Sequence, residues 1–115
     1  MAMISNLTID QGASFKAEID VKDSDGDALN LTGFTGAGQM RKTYSSSTKT
    51  DFDVEFKNPR TGGTVVISLT SSQTNALKSG RFVYDVEITS PQSAGSEVTR
   101  VVEGQIDVTP GVTRA

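Results

Sequence analysis

The sequence predicts an all-β protein: an antiparallel β-sandwich of about seven strands with one short helical turn, forming a single domain over residues 1–115. Three observations predict it. Apolar residues recur with a period of two, as in a strand with one wet and one dry face. Val, Ile, Thr, Phe and Tyr fill those alternating segments, while Gly, Asp, Asn and Ser fill the gaps between them. The segments are short and turn signals separate them at regular intervals, which suits two packed sheets.

Leu7 and Ile9 mark a short first strand. In SFKAEIDV, Phe15, Ala17, Ile19 and Val21 oppose Lys16, Glu18 and Asp20. Asp25-Gly26 follows and reads as a hairpin turn of type I′, whose central residues both need positive φ. Residues Thr35 to Tyr44 form a strand weakened by Gly36 and Gly38. In DFDVEF, Phe52, Val54 and Phe56 face one way, and Asp51, Asp53 and Glu55 the other. Val65, Ile67 and Leu69 make the next strand.

TSSQTNALKSG then predicts a helical turn. Thr70 is its N-cap and Gln73, three residues on, completes a capping box. Leu77 anchors the turn, and Gly80 ends it in the left-handed conformation. Phe82, Tyr84, Val86 and Ile88 share the dry face of RFVYDVEIT, opposite Arg81, Asp85 and Glu87, with Val83 out of place on the wet side. The last strand carries Val98, Val102, Ile106 and Val108, interrupted by Arg100 and Gly104. Tyr44–Thr50 and Ser90–Glu97 read as polar loops.

The composition excludes much chemistry. The 115 residues include no cysteine, no histidine and no tryptophan. Disulfides, thiolate catalysis and cysteine-ligated metals are excluded, as are the commonest general base and metal ligand. The net charge of −3 argues against nucleic acid as a partner, because phosphate neutralisation needs a basic face. No apolar run approaches the roughly 20 residues that cross a bilayer, so no membrane span is expected. The opening residues MAMISNLTID lack the basic and apolar regions of a secretory signal, and synthesis in a cytoplasm is expected.

Asp23, Asp25 and Asp27 alternate as at the start of an EF-hand calcium loop. That loop needs Gly at its sixth position and Glu at its twelfth, where this chain has Ala28 and Phe34. The three aspartates therefore read as turn residues, with a weak calcium site as the alternative. Gly33 and Gly38 have the spacing of a phosphate loop, but Gln39 and Met40 stand where Lys and Ser or Thr are required. Gly36 and Gly38 begin a G-x-G-x-x-G match that fails at Arg41. These glycines, Gly33 included, read as sites of turning or close strand approach. Asp51, Asp53, Glu55, Asp85 and Glu87 lie on wet faces and read as solvated charge. Arg41, Lys42 and Lys49 form a small basic cluster near Tyr44 that reads the same way. No catalytic constellation emerges, and the expectation is a protein without enzymatic activity or cofactor.

Several stretches resemble a known group. LTIDQGASFKAEIDVKDSDGDALNLTG, ISLTSSQTNALKSGRFVYDVEIT and EGQIDVTPGVTR are similar in order and content to segments of small bacteriophage virion proteins. The residues that carry the likeness are Gly12, Asp25, Gly26, Leu31, Thr32, Gly33, Thr74, Leu77, Gly80, Tyr84, Asp85, Val86, Gly104, Val108 and Thr113. The resemblance implies an immunoglobulin-like β-sandwich, similar to the N-terminal module of phage baseplate upper proteins. It also implies a structural role in tail, neck or baseplate, by attachment to other phage structural proteins in multiple copies. The protein would be made in the host bacterial cytoplasm and found in the virion. This chain stops at Ala115 where baseplate upper proteins continue, which fits a bare attachment module. Capsid decoration, or binding of carbohydrate at a cell surface, are the alternatives; the second is opposed by the lack of tryptophan and the presence of only two tyrosines.

Overall fold

The structure, a computed structural model, describes residues 3–23, 25–91 and 97–111. Nine strands form two sheets: β1 (Met3–Ile4), β2 (Leu7–Asp10), β3 (Phe15–Asp20), β4 (Thr35–Arg41), β5 (Thr50–Asp51), β6 (Asp53–Phe56), β7 (Thr64–Leu69), β8 (Gly80–Thr89) and β9 (Val98–Thr109). The larger sheet runs β1-β9-β8-β4-β5, with β2 also on β9, and the smaller runs β3-β7-β6. Every pairing is antiparallel except those of β1 and β2, which both lie parallel to β9. Ile9, Ile19, Leu31, Met40, Phe52, Ile67, Val86, Val102 and Ile106 meet between the sheets as one core, the dry faces that the alternation marks.

The DFDVEF segment divides where the alternation reads straight through. Thr50 and Asp51 pair with β4, whereas Asp53 to Phe56 pair with β7. The chain changes sheets at Phe52, whose amide still bonds Gly38 O at 2.9 Å. Alternation survives the switch because both sheets share one core. Phe52 fills the corner, with its ring centroid 6.2 Å from both Phe15 and Tyr84.

Gly36 and Gly38 point inward from β4. A Cβ on Gly36 would stand 2.7 Å from Val54 Cγ1, and one on Gly38 would stand 3.2 Å from Phe52 Cδ2. The two glycines thus permit the sheets to approach here. Gly104 meets a tighter limit. The chain crosses β9 between β1 and β2, and a Cβ on Gly104 would overlap Ser5 O and lie 2.9 Å from its carbonyl carbon.

Thr70 and Gln73 form the expected capping box, with Gln73 N–H to Thr70 Oγ1 at 3.2 Å and Thr70 N–H to Gln73 Oε1 at 2.8 Å. Leu77 is buried. The helix, α1 (Ser71–Asn75), ends earlier than expected, at a right-handed Ala76. Gly80 does not cap it: it opens β8 at φ 133°, a positive φ that suits glycine but lies outside the left-handed helical well. Thr74 bolts the helix to the β2–β3 turn. Its buried Oγ1 accepts from Gly12 N–H at 3.1 Å and donates to Ala13 O at 2.8 Å. Gln11 adds a bond from Nε2 to Leu77 O at 2.7 Å.

The Asp25-Gly26 turn differs in type from the expectation. Gly26 takes φ 86°, while none of the described non-glycine residues has positive φ, Asp25 included. Asp23 N–H bonds Asp27 O, and Gly26 N–H bonds Asp23 O. The loop is one residue longer than a type I′ turn, so Gly26 alone takes the conformation that a Cβ on Asp25 disfavours. Gly33 sits at φ 81° in a turn closed by Phe34 N–H to Leu31 O at 3.0 Å, the signature of type II.

Two substitutions test these joints. Gly104→Ala should cost about 1–3 kcal/mol, as overpacking does, and should strip hydrogen-exchange protection from residues 5–10 before the rest of the sheet. Thr74→Val should cost about 1 kcal/mol in urea unfolding through the lost hydroxyl bonds, with the m-value unchanged.

Candidate functional surface

Large apolar side chains face solvent at few described places. Met3 is 49 % exposed, Ile4 75 % and Val98 58 %; the fourth, Tyr44, is 82 % exposed. Met3 and Ile4 pair with Val102 and Glu103 of β9, so the first three lie along one margin of the larger sheet. Val98 is four residues from Val102, about 13 Å along the strand. Its exposure follows from a β-bulge. Val86 pairs with Val102 but Glu87 pairs with Arg100, leaving Val101 as the extra residue. The bulge breaks the parity on which Val98 would have joined Val102, Ile106 and Val108 inside.

β1 is short and needs anchors. Ser5 N–H bonds Glu103 O at 2.9 Å, Gln105 N–H bonds Asn6 Oδ1 at 3.0 Å, and Tyr84 donates its phenolic O–H to Ser5 O at 2.6 Å. Burial raises the Tyr84 pKa above the ordinary phenol value, and the Ser5 side chain offsets part of the rise.

The sequence-selected charged residues separate in space. Asp85, Glu87 and Arg41 lie on the outer face of the larger sheet, while Asp53 and Glu55 lie outward on the smaller. Arg100 bridges Asp85 at 3.3 Å and Glu103 at 3.2 Å; the Glu103 bond, ahead of Asp85, raises its pKa further. The basic residues Arg41, Lys42 and Lys49 border one small hollow, each with its own partner. Lys49 bonds both oxygens of Asp51, at 2.9 and 2.7 Å, and that bond is the main cause of the lowered Asp51 pKa. Lys42 sits over the Phe82 ring, 5.1 Å from its centroid. Arg41 bonds Ser46 O at 2.7 Å and Gln39 Oε1 at 3.0 Å.

Asp23 Oδ1 accepts the amides of Asp25 at 2.9 Å and Asp27 at 3.0 Å, which makes it a turn-closing acceptor. Among the described residues, no three acidic side chains are grouped to hold a metal ion. The strand expected to reach Tyr44 stops at Arg41, and Tyr44 lies in the following turn, where the polar loop Tyr44–Thr50 was expected to begin. Val83, apolar on a wet face, was the one irregularity that marked this side of the sheet.

No described protein family and no curated protein matches the sequence. Among solved structures the chain is similar to the filamin domain of Lin-41, with a TM-score of 0.50 and 17 % identity over 90 % of this chain and 84 % of that one. The fold is thus an immunoglobulin-like β-sandwich. Weaker matches are a family 123 glycoside hydrolase from Clostridium perfringens (TM-score 0.40, 12 % identity, 95 % of this chain and 23 % of that one) and AggA, the major subunit of aggregative adherence fimbriae type I from Escherichia coli (0.37, 11 %, 90 % and 89 %). At these identities the likeness is one of fold. The resemblance to phage virion proteins rests on the sequence motifs alone.

Tyr84→Phe should lose about 1 kcal/mol at neutral pH with the Ser5 bond. An unfolded tyrosine titrates near pH 10, and the folded group titrates higher, so the unfolded chain releases its proton first. Tyr84 therefore lends stability that is present below about pH 10 and is lost as pH rises through the folded value. Unfolding midpoints measured across alkaline pH should fall less steeply in the variant.

Proposed function

We propose that this protein is a non-enzymatic structural component of a bacteriophage particle, placed in its tail, neck or baseplate region and held by protein–protein contact. The observation that carries the reading is the exposed margin of Met3, Ile4 and Val98. Among the described residues no other large aliphatic side chain is exposed, so apolar area left along one sheet margin is suited to cover by another protein. The virion motifs quoted from the sequence supply the phage context, and the sandwich is the fold they imply. The partners are other phage structural proteins, and repeated copies would strengthen a weak single contact through avidity.

Cryo-electron microscopy of purified particles of the source phage tests the reading directly. Density at the neck, tail or baseplate is the expected result. Density on the capsid lattice would make the protein a decoration protein instead, and absence from the particle would overturn the virion role. Ile4→Lys with Val98→Lys should reduce incorporation at least about tenfold. Both side chains are exposed, so the isolated chain should keep its stability within about 0.5 kcal/mol; unchanged incorporation would move the contact elsewhere.

A further inference from the structure

The outer face of β4, β8 and β9 holds a concavity of about 380 Å³, within the size range of small-ligand sites. Strand register places its polar groups in rows. Gln39, Asp85 and Glu103 stand opposite one another across the three strands, and Ala37, Glu87 and Arg100 form the next row. Arg41 and Val83 are paired in the row beyond. Tyr44 also lines the concavity, with its ring 82 % exposed.

The charges in this face are already committed. Arg100 is held by Asp85 and Glu103, and Arg41 by Ser46 O and Gln39. Arg41 is held by neutral acceptors and keeps its charge, while Arg100 is shared by two carboxylates, so the face sets two positive groups, Arg41 and Arg100, against three negative ones, Asp85, Glu87 and Glu103. What remains is a fixed, nearly balanced array of donors and acceptors beside an open aromatic ring. A hydroxyl group donates and accepts at once, so a ligand with several adjacent hydroxyls can use both kinds of group. The apolar C–H face of a sugar ring can rest on Tyr44, and Ala37 and Val83 line the same concavity.

We infer that this concavity is a saccharide-binding site for a neutral sugar, with Tyr44 as its stacking platform and Glu87 and Gln39 among its hydroxyl partners. The site is separate from the apolar margin at Met3, Ile4 and Val98, and the isolated chain suffices to test it, so its failure leaves the virion reading untouched.

The test is a titration of the amide-labelled chain, followed by two-dimensional NMR, with D-glucose, D-galactose, D-mannose, N-acetyl-D-glucosamine and L-rhamnose at tens of millimolar. At least one sugar should shift the amides of Ala37, Gln39, Tyr44, Asp85 and Glu87. Tyr44→Ala, which removes an exposed ring, should retain a dispersed spectrum and weaken that binding about tenfold, the worth of one aromatic contact. Glu87→Gln should weaken it while the Arg100 bridge stays in place. The inference is overturned if none of the sugars shifts these amides, if shifts map elsewhere, or if Tyr44→Ala binds as well as the parent. A response to inorganic phosphate or to free lysine with none to sugar would overturn it as well.

Discussion

The sandwich depends on one close approach. β4 lies in the larger sheet, yet its inward positions Gly36 and Gly38 leave space that Val54 and Phe56 of the smaller sheet and Phe52 at the corner occupy. A strand normally gains from a side chain at every inward position, and glycine there costs conformational entropy. Here the loss is offset by aromatic packing: Phe52 reaches both Phe15 and Tyr84, and Phe56 lies under the Arg60 guanidinium at 4.7 Å. Arg60 in turn donates to Leu31 O and Phe34 O, tying the turn that precedes β4 to the loop that precedes β7. At Gly36 and Gly38 the seam is thus closed by large residues from one side fitting against glycine on the other.

That arrangement explains which features were legible in the sequence. Period-two alternation reports which side of a strand is dry, and it placed Phe52, Val65, Ile67, Leu69, Tyr84, Val86, Ile88, Val102, Ile106 and Val108 in the core, where the structure has them. The capping box was legible because its two bonds are local. Alternation does not report which sheet a strand joins. The switch at Phe52, the parallel seating of β1 and β2 on β9, and the bulge that turns Val98 outward all depend on pairings between distant residues. The turn at Asp25-Gly26 was placed correctly but typed wrongly, because the pair of residues alone does not disclose the length of the loop around it.

The exposed surface was the least legible part. Tyr44 had the composition of a strand end and the environment of an open turn, and only the register of β4 against β8 shows that it flanks the Gln39–Asp85–Glu103 row. Charged residues gave equal signals on both outer faces. On the smaller sheet Lys57 reaches Glu18 at 3.2 Å, and on the larger Arg81 reaches Asp107 at 3.2 Å. Such exposed pairs add little to stability. The bridges of Arg100 to Asp85 and Glu103 instead fix the orientation of side chains around a hollow, which no count of charges along the sequence conveys.

The residues behind the phage resemblance are largely joints of the fold. Gly12 gives its amide to Thr74; Leu31 is fully buried and Gly33 turns the chain after it; Leu77 closes the crossover; Tyr84 and Gly104 seat the N-terminal segment on β9. Thr113 lies outside the described residues. Any sequence that must build this sandwich with these crossings meets the same demands at those positions, whatever its partner. The motifs therefore speak first for architecture. The contacts proposed above use residues the motifs leave out: Met3, Ile4, Val98, Tyr44 and Glu87. A protein that shared the joints but not these side chains would share the fold without the surface proposed for contact.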